Sequence, residues 1–100
     1  MADGKVTVIA RARAKAGLEE QVRQEIMALV APTRAEAGCI NYDLHQSADD
    51  PALFMLYENW VSLKDLEEHL AMPYLEAFKA KAPELLAEPI EITLWEMISE

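Results

Sequence analysis

The segment that decides the fold reads Tyr57-Glu58-Asn59-Trp60-Val61-Ser62-Leu63-Lys64-Asp65-Leu66-Glu67-Glu68-His69. Its first part has the alternating pattern of a strand, and its second part has apolar residues at helical spacing. Ser62 and Asp65 have the spacing of a helix-capping pair, although Asp is shorter than the usual Glu. The segment therefore predicts a strand that passes directly into a helix.

Upstream, the sequence predicts a strand followed by an amphipathic helix. Residues 5–14 alternate in polarity, and Gly17 then breaks the strand. The next apolar residues recur at helical spacing and define one buried stripe, made of Leu18, Val22, Ile26, Leu29, Val30 and Thr33. Pro32 is expected to kink this helix late rather than abolish it. Gly38 is expected to end it in the left-handed conformation.

Besides the strand in the opening segment, the sequence predicts a strand before it, and a further helix and a last strand after it. Residues 39–47 and 53–61 flank an Asp-Asp-Pro turn and predict a hairpin, whose first strand points Ile40, Tyr42 and Leu44 toward the core. Pro73 suits a first helical position and starts a further helix. That helix carries Tyr74, Phe78, Ala82 and Leu85 on one side. Residues 90–98 alternate as the last strand.

The resulting order, βαββαβ with a divided second helix, is the ferredoxin-like pattern. It is an α+β fold in which a four-stranded antiparallel sheet carries helices on one face. A chain of 100 residues is sufficient for one domain of this kind. We therefore expect a single ferredoxin-fold domain over residues 1–100.

Composition argues against several classes of partner. A net charge of −9 opposes binding to nucleic acid or to an anionic membrane, because both attract basic surfaces. No apolar run approaches the roughly 20 residues that span a bilayer. The single cysteine, Cys39, cannot form an intrachain disulfide and is predicted to be a small buried side chain. These features predict a cytoplasmic protein.

The sheet face without helices predicts self-association. If the even-numbered strand residues face the helices, the opposite face carries five large apolar side chains, namely Ile9, Met55, Tyr57, Trp95 and Met97. Burial of each such group contributes about 1.5–3 kcal/mol. A twofold axis would cover two of these faces at once, so a homodimer is expected. The alternative is that the stems of Arg11, Arg13 and Glu91 shield them.

Several segments across nearly the whole chain share the pattern of one known family. They are Val8-Ile9-Ala10-Arg11 leading to Ala16-Gly17, Pro32-Thr33-Arg34-Ala35-Glu36-Ala37-Gly38-Cys39, Tyr42-Asp43-Leu44-His45-Gln46, Tyr57-Glu58-Asn59-Trp60 and His69-Leu70-Ala71-Met72-Pro73. In them the chain resembles the antibiotic biosynthesis monooxygenase superfamily, whose dimeric α+β-barrel members include quinol monooxygenases. The same scaffold is associated with cofactor-free oxygenases, haem-degrading enzymes, isomerases and members of no known activity.

Two departures from the family pattern narrow the range of reactions that we expect. In the haem-degrading relatives an Asn on the first strand and a His on the last helix carry the chemistry. This chain has Ala10 and Phe78 or Lys79 at those places, so haem degradation is not expected. Many members have His directly after the proline of the last segment, where this chain has Tyr74. A reaction that depends on that imidazole is therefore in doubt.

The resemblance implies a ligand pocket in each subunit, between the sheet and the helices. The residues expected there are Ala10, Tyr42, Leu56, Glu58, Trp60, His69, Tyr74 and Phe78. The set is mostly apolar with a few polar tips, as the pocket of an aromatic ligand requires. His45 falls on the other face of the sheet and is assigned to the dimer barrel. Because the two histidines cannot share an ion, no metal site is predicted.

These residues suggest a cofactor-free monooxygenase that oxidises a small electron-rich aromatic compound, such as a quinol, phenol or polyketide, with O2. The sequence has no phosphate loop or dinucleotide fingerprint, and no cofactor is predicted. His69 would act as base, while Trp60 and Tyr42 would orient substrate oxygen. Each also has a packing interpretation, with His69 satisfied by a carboxylate such as Glu58. An isomerase or tautomerase of a small oxo-acid and a non-catalytic ligand-binding dimer are the alternatives.

Overall fold

The computed structural model describes residues 4–99 and contains four strands and three helices. The strands are β1 (Val6–Arg13), β2 (Cys39–Gln46), β3 (Leu53–Trp60) and β4 (Glu91–Trp95). The helices are α1 (Glu19–Arg34), α2 (Leu63–Leu70) and α3 (Pro73–Leu85). The order is the predicted βαββαβ, with the second helix divided into α2 and α3. Within residues 4–99, the helices are too short or too polar to cross a membrane.

The strands form one antiparallel sheet in the order β2-β3-β1-β4. On the central strand β1, Ile9 lies opposite Tyr57 of β3 and Thr93 of β4. Because residues directly opposite each other share a face, odd-numbered residues of these three strands form one face of the sheet and even-numbered residues the other. This arrangement confirms the ferredoxin-like α+β fold, and it fixes which side chains lie under the helices.

The junction between β3 and α2 folds as its sequence predicts. Ser62 has an extended backbone, and its Oγ accepts the backbone N–H of Asp65 at 3.2 Å while donating to Oδ2 of Asp65 at 2.8 Å. This pairing satisfies an amide that the first helical turn leaves without a partner. Ser62 and Asp65 thus cap the helix as a pair, with the shorter Asp accepting from the Ser62 hydroxyl, and the chain turns from the sheet directly onto its helix side.

The helices cover the even-numbered face and enclose the core there. The buried residues of α1 are Val22, Ile26, Leu29, Val30 and Thr33, which confirms the predicted stripe. The helix continues through Pro32 to Arg34. Facing these residues, the sheet contributes Val6, Val8, Ala10, Ala12, Tyr42, Phe54, Leu56 and Trp60. Alanines on β1 keep the middle of this floor low, which leaves space under the helices.

Gly38 is required for a reason other than the predicted one. Its φ is not positive, since the positive-φ glycines among residues 4–99 are Gly4 and Gly17. A Cβ atom on Gly38 would lie 2.2 Å from Cγ of Asp65. The prediction of a left-handed Gly38 is therefore wrong. The glycine instead lets the chain after α1 pass close to the first turn of α2.

The start of β2 contains an irregularity that simple alternation does not reveal. Cys39 pairs with Trp60 and Asn41 pairs with Asn59, so Ile40 is an extra residue between the two pairs. Such a bulge changes the direction of the side chain at the inserted position. Ile40 is 52% exposed, and its predicted core position is wrong. Cys39 instead packs partly buried against the core.

The last strand is shorter and less covered than its sequence predicts. β4 ends at Trp95, so Ile98 of the predicted strand lies beyond it and is 94% exposed. Ile92 and Leu94 do lie on the helix side of the sheet, but both are exposed. The helices therefore leave the edge strand uncovered, and the space beneath them opens toward β4.

The odd-numbered face lacks a covering helix among residues 4–99 and is chemically mixed. Tyr57 and Trp95 are exposed, whereas Ile9 and Met55 are half-buried; Met97 is exposed beyond the end of β4. At one end of this face a polar network links the side chains of Thr7, Asn59 and Asn41. The predicted apolar patch is thus present, beside a polar region that the sequence pattern does not distinguish.

Candidate active site

A small cavity lies between the even-numbered face and the helices. Its volume is about 40 Å³, and it is lined by Ala10, Ile26, Leu29, Tyr42, Leu56, Glu58, His69, Leu70, Leu75, Phe78, Ile90 and Ile92. Because one water needs roughly 10–15 Å³ of such space, the cavity accommodates a few waters rather than an aromatic ring. Its polar lining comes from Tyr42, Glu58 and His69, which meet in otherwise apolar surroundings.

His69 is held by a carboxylate from a different part of the chain. Its Nδ1 lies 2.8 Å from Oε2 of Glu36, and the two side chains are 2% and 9% exposed. Tyr74 donates its hydroxyl to the same oxygen of Glu36. Glu36 stands in the turn after α1, so it connects that turn with both α2 and α3. The partner that the sequence suggests for the histidine, Glu58, is not the one that bonds it.

Glu58 is a second buried carboxyl group in the wall of the cavity. It lies in the middle of the sheet, opposite Val8 of β1 and Tyr42 of β2. Its Oε1 accepts the indole N–H of Trp60 at 2.9 Å. Burial raises the pKa of Glu58 to about 7, and the charge of Glu36 adds to the rise, while the bond from Trp60 opposes it. Near neutral pH this carboxyl group can therefore hold or release a proton.

Aromatic rings contact the imidazole of His69 on two sides. The Trp60 ring is tilted by 35° at a centroid distance of 4.5 Å, and the Tyr42 ring is edge-on at 5.5 Å. Burial, together with the charge of Glu58, raises the pKa of the Tyr42 phenol. Burial and the bond to Glu36 raise the pKa of Tyr74 to about 12. Both phenols therefore remain protonated at neutral pH and can donate hydrogen bonds.

Most of the predicted site residues meet at the cavity. Ala10, Tyr42, Leu56, Glu58, His69 and Phe78 line it. Trp60 and Tyr74 stand behind this lining, where they hold Glu58 and Glu36. The Trp60 side chain is fully buried and its N–H is bonded to Glu58, so in this structure the N–H is not free for a substrate. Contact of these residues with a substrate remains a prediction.

Glu36 is the site residue that sequence reasoning missed. It lies in a turn, where no helical or strand period indicates which way a side chain points. Its place within a family segment was the available signal. His45 is exposed on the opposite face of the sheet, away from His69. Across residues 4–99, no group of three or more His, Cys, Asp or Glu side chains is placed to hold a metal ion.

A larger groove adjoins the cavity beside the last strand. Its volume is about 460 Å³, and its lining residues are Lys79, Ala82, Pro83, Leu86, Ala87, Glu88, Pro89 and Ile90. Ile90 lines both spaces. The groove falls within the range of about 300–1,000 Å³ that is typical of small-molecule sites.

The fold is that of a small α+β domain, with buried polar side chains lining a cavity under its helices. Comparison with known proteins gives the family. The chain belongs to the family described as Antibiotic biosynthesis monooxygenase, which it matches over residues 5–81. The resemblance inferred from the sequence segments is thereby confirmed.

Individual relatives match over almost the full chain. The Mycobacterium tuberculosis protein named "Putative monooxygenase Rv0793" is 37% identical over 95 residues, which cover 95% of this chain and 93% of the relative. Its solved structure superimposes with a TM-score of 0.90, covering 96% of this chain and 97% of that one. The crystal structure of PA3566 from Pseudomonas aeruginosa gives a TM-score of 0.91 at 36% identity, with 96% of each chain covered.

Proposed function

We propose that this protein is a cofactor-independent monooxygenase that acts with O2 on a small electron-rich aromatic compound. The family match and the names of its relatives support a monooxygenase-like function. The observation that carries the proposal is that His69, bonded to the buried carboxylate of Glu36, lines a mostly apolar cavity. A base in such surroundings can remove a proton from a phenol or quinol and keep water from the anion.

The first step is a proton transfer. A substrate hydroxyl gives its proton to Nε2 of His69, and the resulting anion is more easily oxidised than the neutral compound. The anion then reduces O2. One oxygen atom enters the product, and the other leaves as water with two hydrogens from the substrate. Tyr42 and Glu58 supply hydrogen bonds to the substrate oxygens, while Ala10, Leu56 and Phe78 form apolar walls.

Replacement of His69 by Ala tests this function. We expect turnover to fall about a hundredfold or more, because the positioned base is lost. His45→Ala is the matched control, since it removes the exposed histidine on the other face. Dissolved O2 is followed while quinols, phenols and polyketides are screened. Unchanged turnover in His69→Ala, with normal folding by circular dichroism, would remove this residue from the mechanism.

An isomerase or tautomerase of a small oxo-acid is the second candidate. It is favoured by the presence of two proton carriers, Glu58 and His69, at one cavity, because tautomerisation needs a base and an acid. Oxygen uptake separates the two reactions. The burial of His69 and Trp60 favours a third role, binding of a ligand without turnover. Saturable binding of a screened compound that is recovered unchanged would support that role.

We also propose that two copies pair through the odd-numbered face, where Tyr57 and Trp95 are exposed. Sedimentation velocity at micromolar concentration tests the pairing. A dimer is expected for the unchanged chain, and Tyr57→Asp should shift it toward monomer. Ile98→Asp, which places the same charge outside the sheet, should remain dimeric. A monomeric unchanged chain would contradict the proposal. The cytoplasm is the proposed location, on the support of the unpaired Cys39.

A further inference from the structure

We propose that Glu36 is a positioning residue that determines which ring nitrogen of His69 carries the proton. This inference deepens the proposed function and rests on it. The carboxylate holds the proton of the imidazole on Nδ1. Nε2 is then the nitrogen that faces a substrate as acceptor. Neither the sequence pattern nor the family match assigns this role to Glu36.

The first support is the hydrogen-bond geometry of the imidazole. Among residues 4–99, the hydrogen bond of this ring runs through Nδ1, at 2.8 Å from Oε2 of Glu36. An ionised carboxylate can only accept, so Nδ1 must carry a hydrogen for this bond to form. A neutral His69 therefore has an unprotonated Nε2. A histidine in the wall of a cavity is an effective base when its partner fixes the tautomer in this way.

The second support is that Glu36 is itself held in place. Tyr74 donates to the same Oε2 atom from α3, and the Tyr74 hydroxyl also lies 3.4 Å from the carbonyl oxygen of Pro32. The carboxylate thus receives hydrogen bonds from two helices while standing in the turn after a third. A carboxylate fixed on two sides restricts the rotation of the imidazole.

The third support is the charge of the surroundings. The titratable side chains near His69 are Glu36, which bonds it, Tyr42 and Glu58, which line the same cavity, and Tyr74, which bonds Glu36. When His69 accepts a substrate proton, its new positive charge lies beside the Glu36 carboxylate in a buried site. A close opposite charge in such a site favours the charged form of the acceptor. Glu36 therefore assists the transfer without touching the substrate.

A purely structural role makes a different prediction. If Glu36 served stability alone and did not determine the tautomer of His69, its replacement would lower stability but leave that tautomer and the chemical step unchanged. The ¹⁵N chemical shifts of the His69 ring distinguish these roles, because protonated and unprotonated ring nitrogens resonate far apart. This readout needs no substrate and no activity.

The experiment compares the full-length chain with Glu36→Gln and Glu36→Ala, using Glu67→Gln as an exposed control. In the unchanged chain with a neutral His69 ring, we expect a protonated Nδ1 and an unprotonated Nε2. Glu36→Ala should give the mixed tautomers of a free imidazole. In Glu36→Gln, a neutral amide replaces the carboxylate, and the Nδ1 proton resonance should move upfield. The control should leave every His69 signal in place.

Kinetics extend the test where turnover is found. Glu36→Gln should lower kcat with little change in KM, by up to the roughly 10⁴-fold loss seen when the carboxylate that orients a catalytic imidazole becomes an amide. If Glu36→Ala does not fold, Glu36→Gln and its proton resonance carry the test. Unchanged His69 signals in the folded variants would overturn the positioning role. The expected signals without any O2 uptake would instead refute the proposed oxygenase and leave the positioning role standing.

Discussion

The two faces of the sheet use similar side chains for opposite purposes. On β3, Phe54 points under the helices and is 1% exposed, whereas Tyr57 points to the open face and is 41% exposed. Each face has a histidine, His69 packed against the covered one and His45 on the open one. The covered histidine contacts two aromatic rings and a carboxylate, while the open one contacts a backbone carbonyl oxygen.

The difference shows how burial changes the pKa of a side chain. Glu58 and Glu91 are both strand carboxylates, and they lie on opposite faces. Glu91 is exposed and faces Arg11 across 3.8 Å. Glu58 is enclosed, and burial raises the pKa of its carboxyl group to about 7. The covered face therefore holds a carboxyl group that changes its protonation near neutral pH, whereas the open face carries an exposed ion pair.

The largest expected effect is the loss of an aromatic ring from the covered face. Phe54→Ala should lower the free energy of unfolding by about 3–5 kcal/mol, because it leaves a cavity in the core. Urea denaturation followed by circular dichroism measures the change. Tyr57→Ala is the comparison on the open face, and its effect should depend on protein concentration because it acts through pairing. Equal, concentration-independent losses in both variants would erase the distinction between the faces.

The next effect concerns pH and Glu58. A carboxyl group whose pKa is higher in the folded state binds its proton more tightly there, so its contribution to stability is present at low pH and is lost as pH rises. The free energy of unfolding of the unchanged chain should therefore fall, relative to Glu58→Gln, between pH 4.5 and about 7. The full change is up to about 3 kcal/mol.

Urea titrations of both proteins at several pH values measure this difference. Glu67→Gln is the control, because Glu67 is exposed on α2. The control should run parallel to the unchanged chain at every pH. A pH-independent difference between Glu58→Gln and the unchanged chain would show that Glu58 is ionised normally in the fold.

The smallest effect is expected for the ion pair of Arg11 and Glu91 on the open face. Its side chains are 52% and 62% exposed, so water and salt screen the pair. Glu91→Gln should change the free energy of unfolding by less than about 1 kcal/mol. Denaturation at low and at 0.5 M added salt checks this. A loss above 2 kcal/mol would mean that the open face contributes to stability in a way its exposure does not suggest.

Much of the fold could be predicted because local signals agreed with one another. The Ser62 and Asp65 cap, the alternation of β1 and the stripe of α1 each depend on neighbours in sequence, and all three are confirmed. Two local predictions failed where a distant contact decided the outcome. Gly38 is fixed by the approach of Asp65, and Ile40 is displaced by the pairing of Cys39 with Trp60. Neither contact has a signature in its own segment.

The residues of the candidate site could be predicted, but the hydrogen bonds between them could not. Alternation placed Tyr42 and Glu58 on the helix side, and helical spacing directed His69 toward the same space. The partners were not predictable, because Glu36 and His69 are 33 residues apart. The same holds for Tyr74, which bonds Glu36 rather than lining the cavity. A hydrogen bond between a turn and a helix far apart in sequence forms only when the tertiary fold places its donor and acceptor at the right distance and angle.

The sequence by itself determined the element order, the helix cap and the division of the strand residues between two faces, because periodicity and capping are local properties of the chain. The tertiary structure decided which carboxylate bonds His69, how far burial raises the pKa of Glu58, and how small the cavity is that both side chains line. Those properties arise when segments far apart in sequence exclude water from one another, and no single segment carries that information.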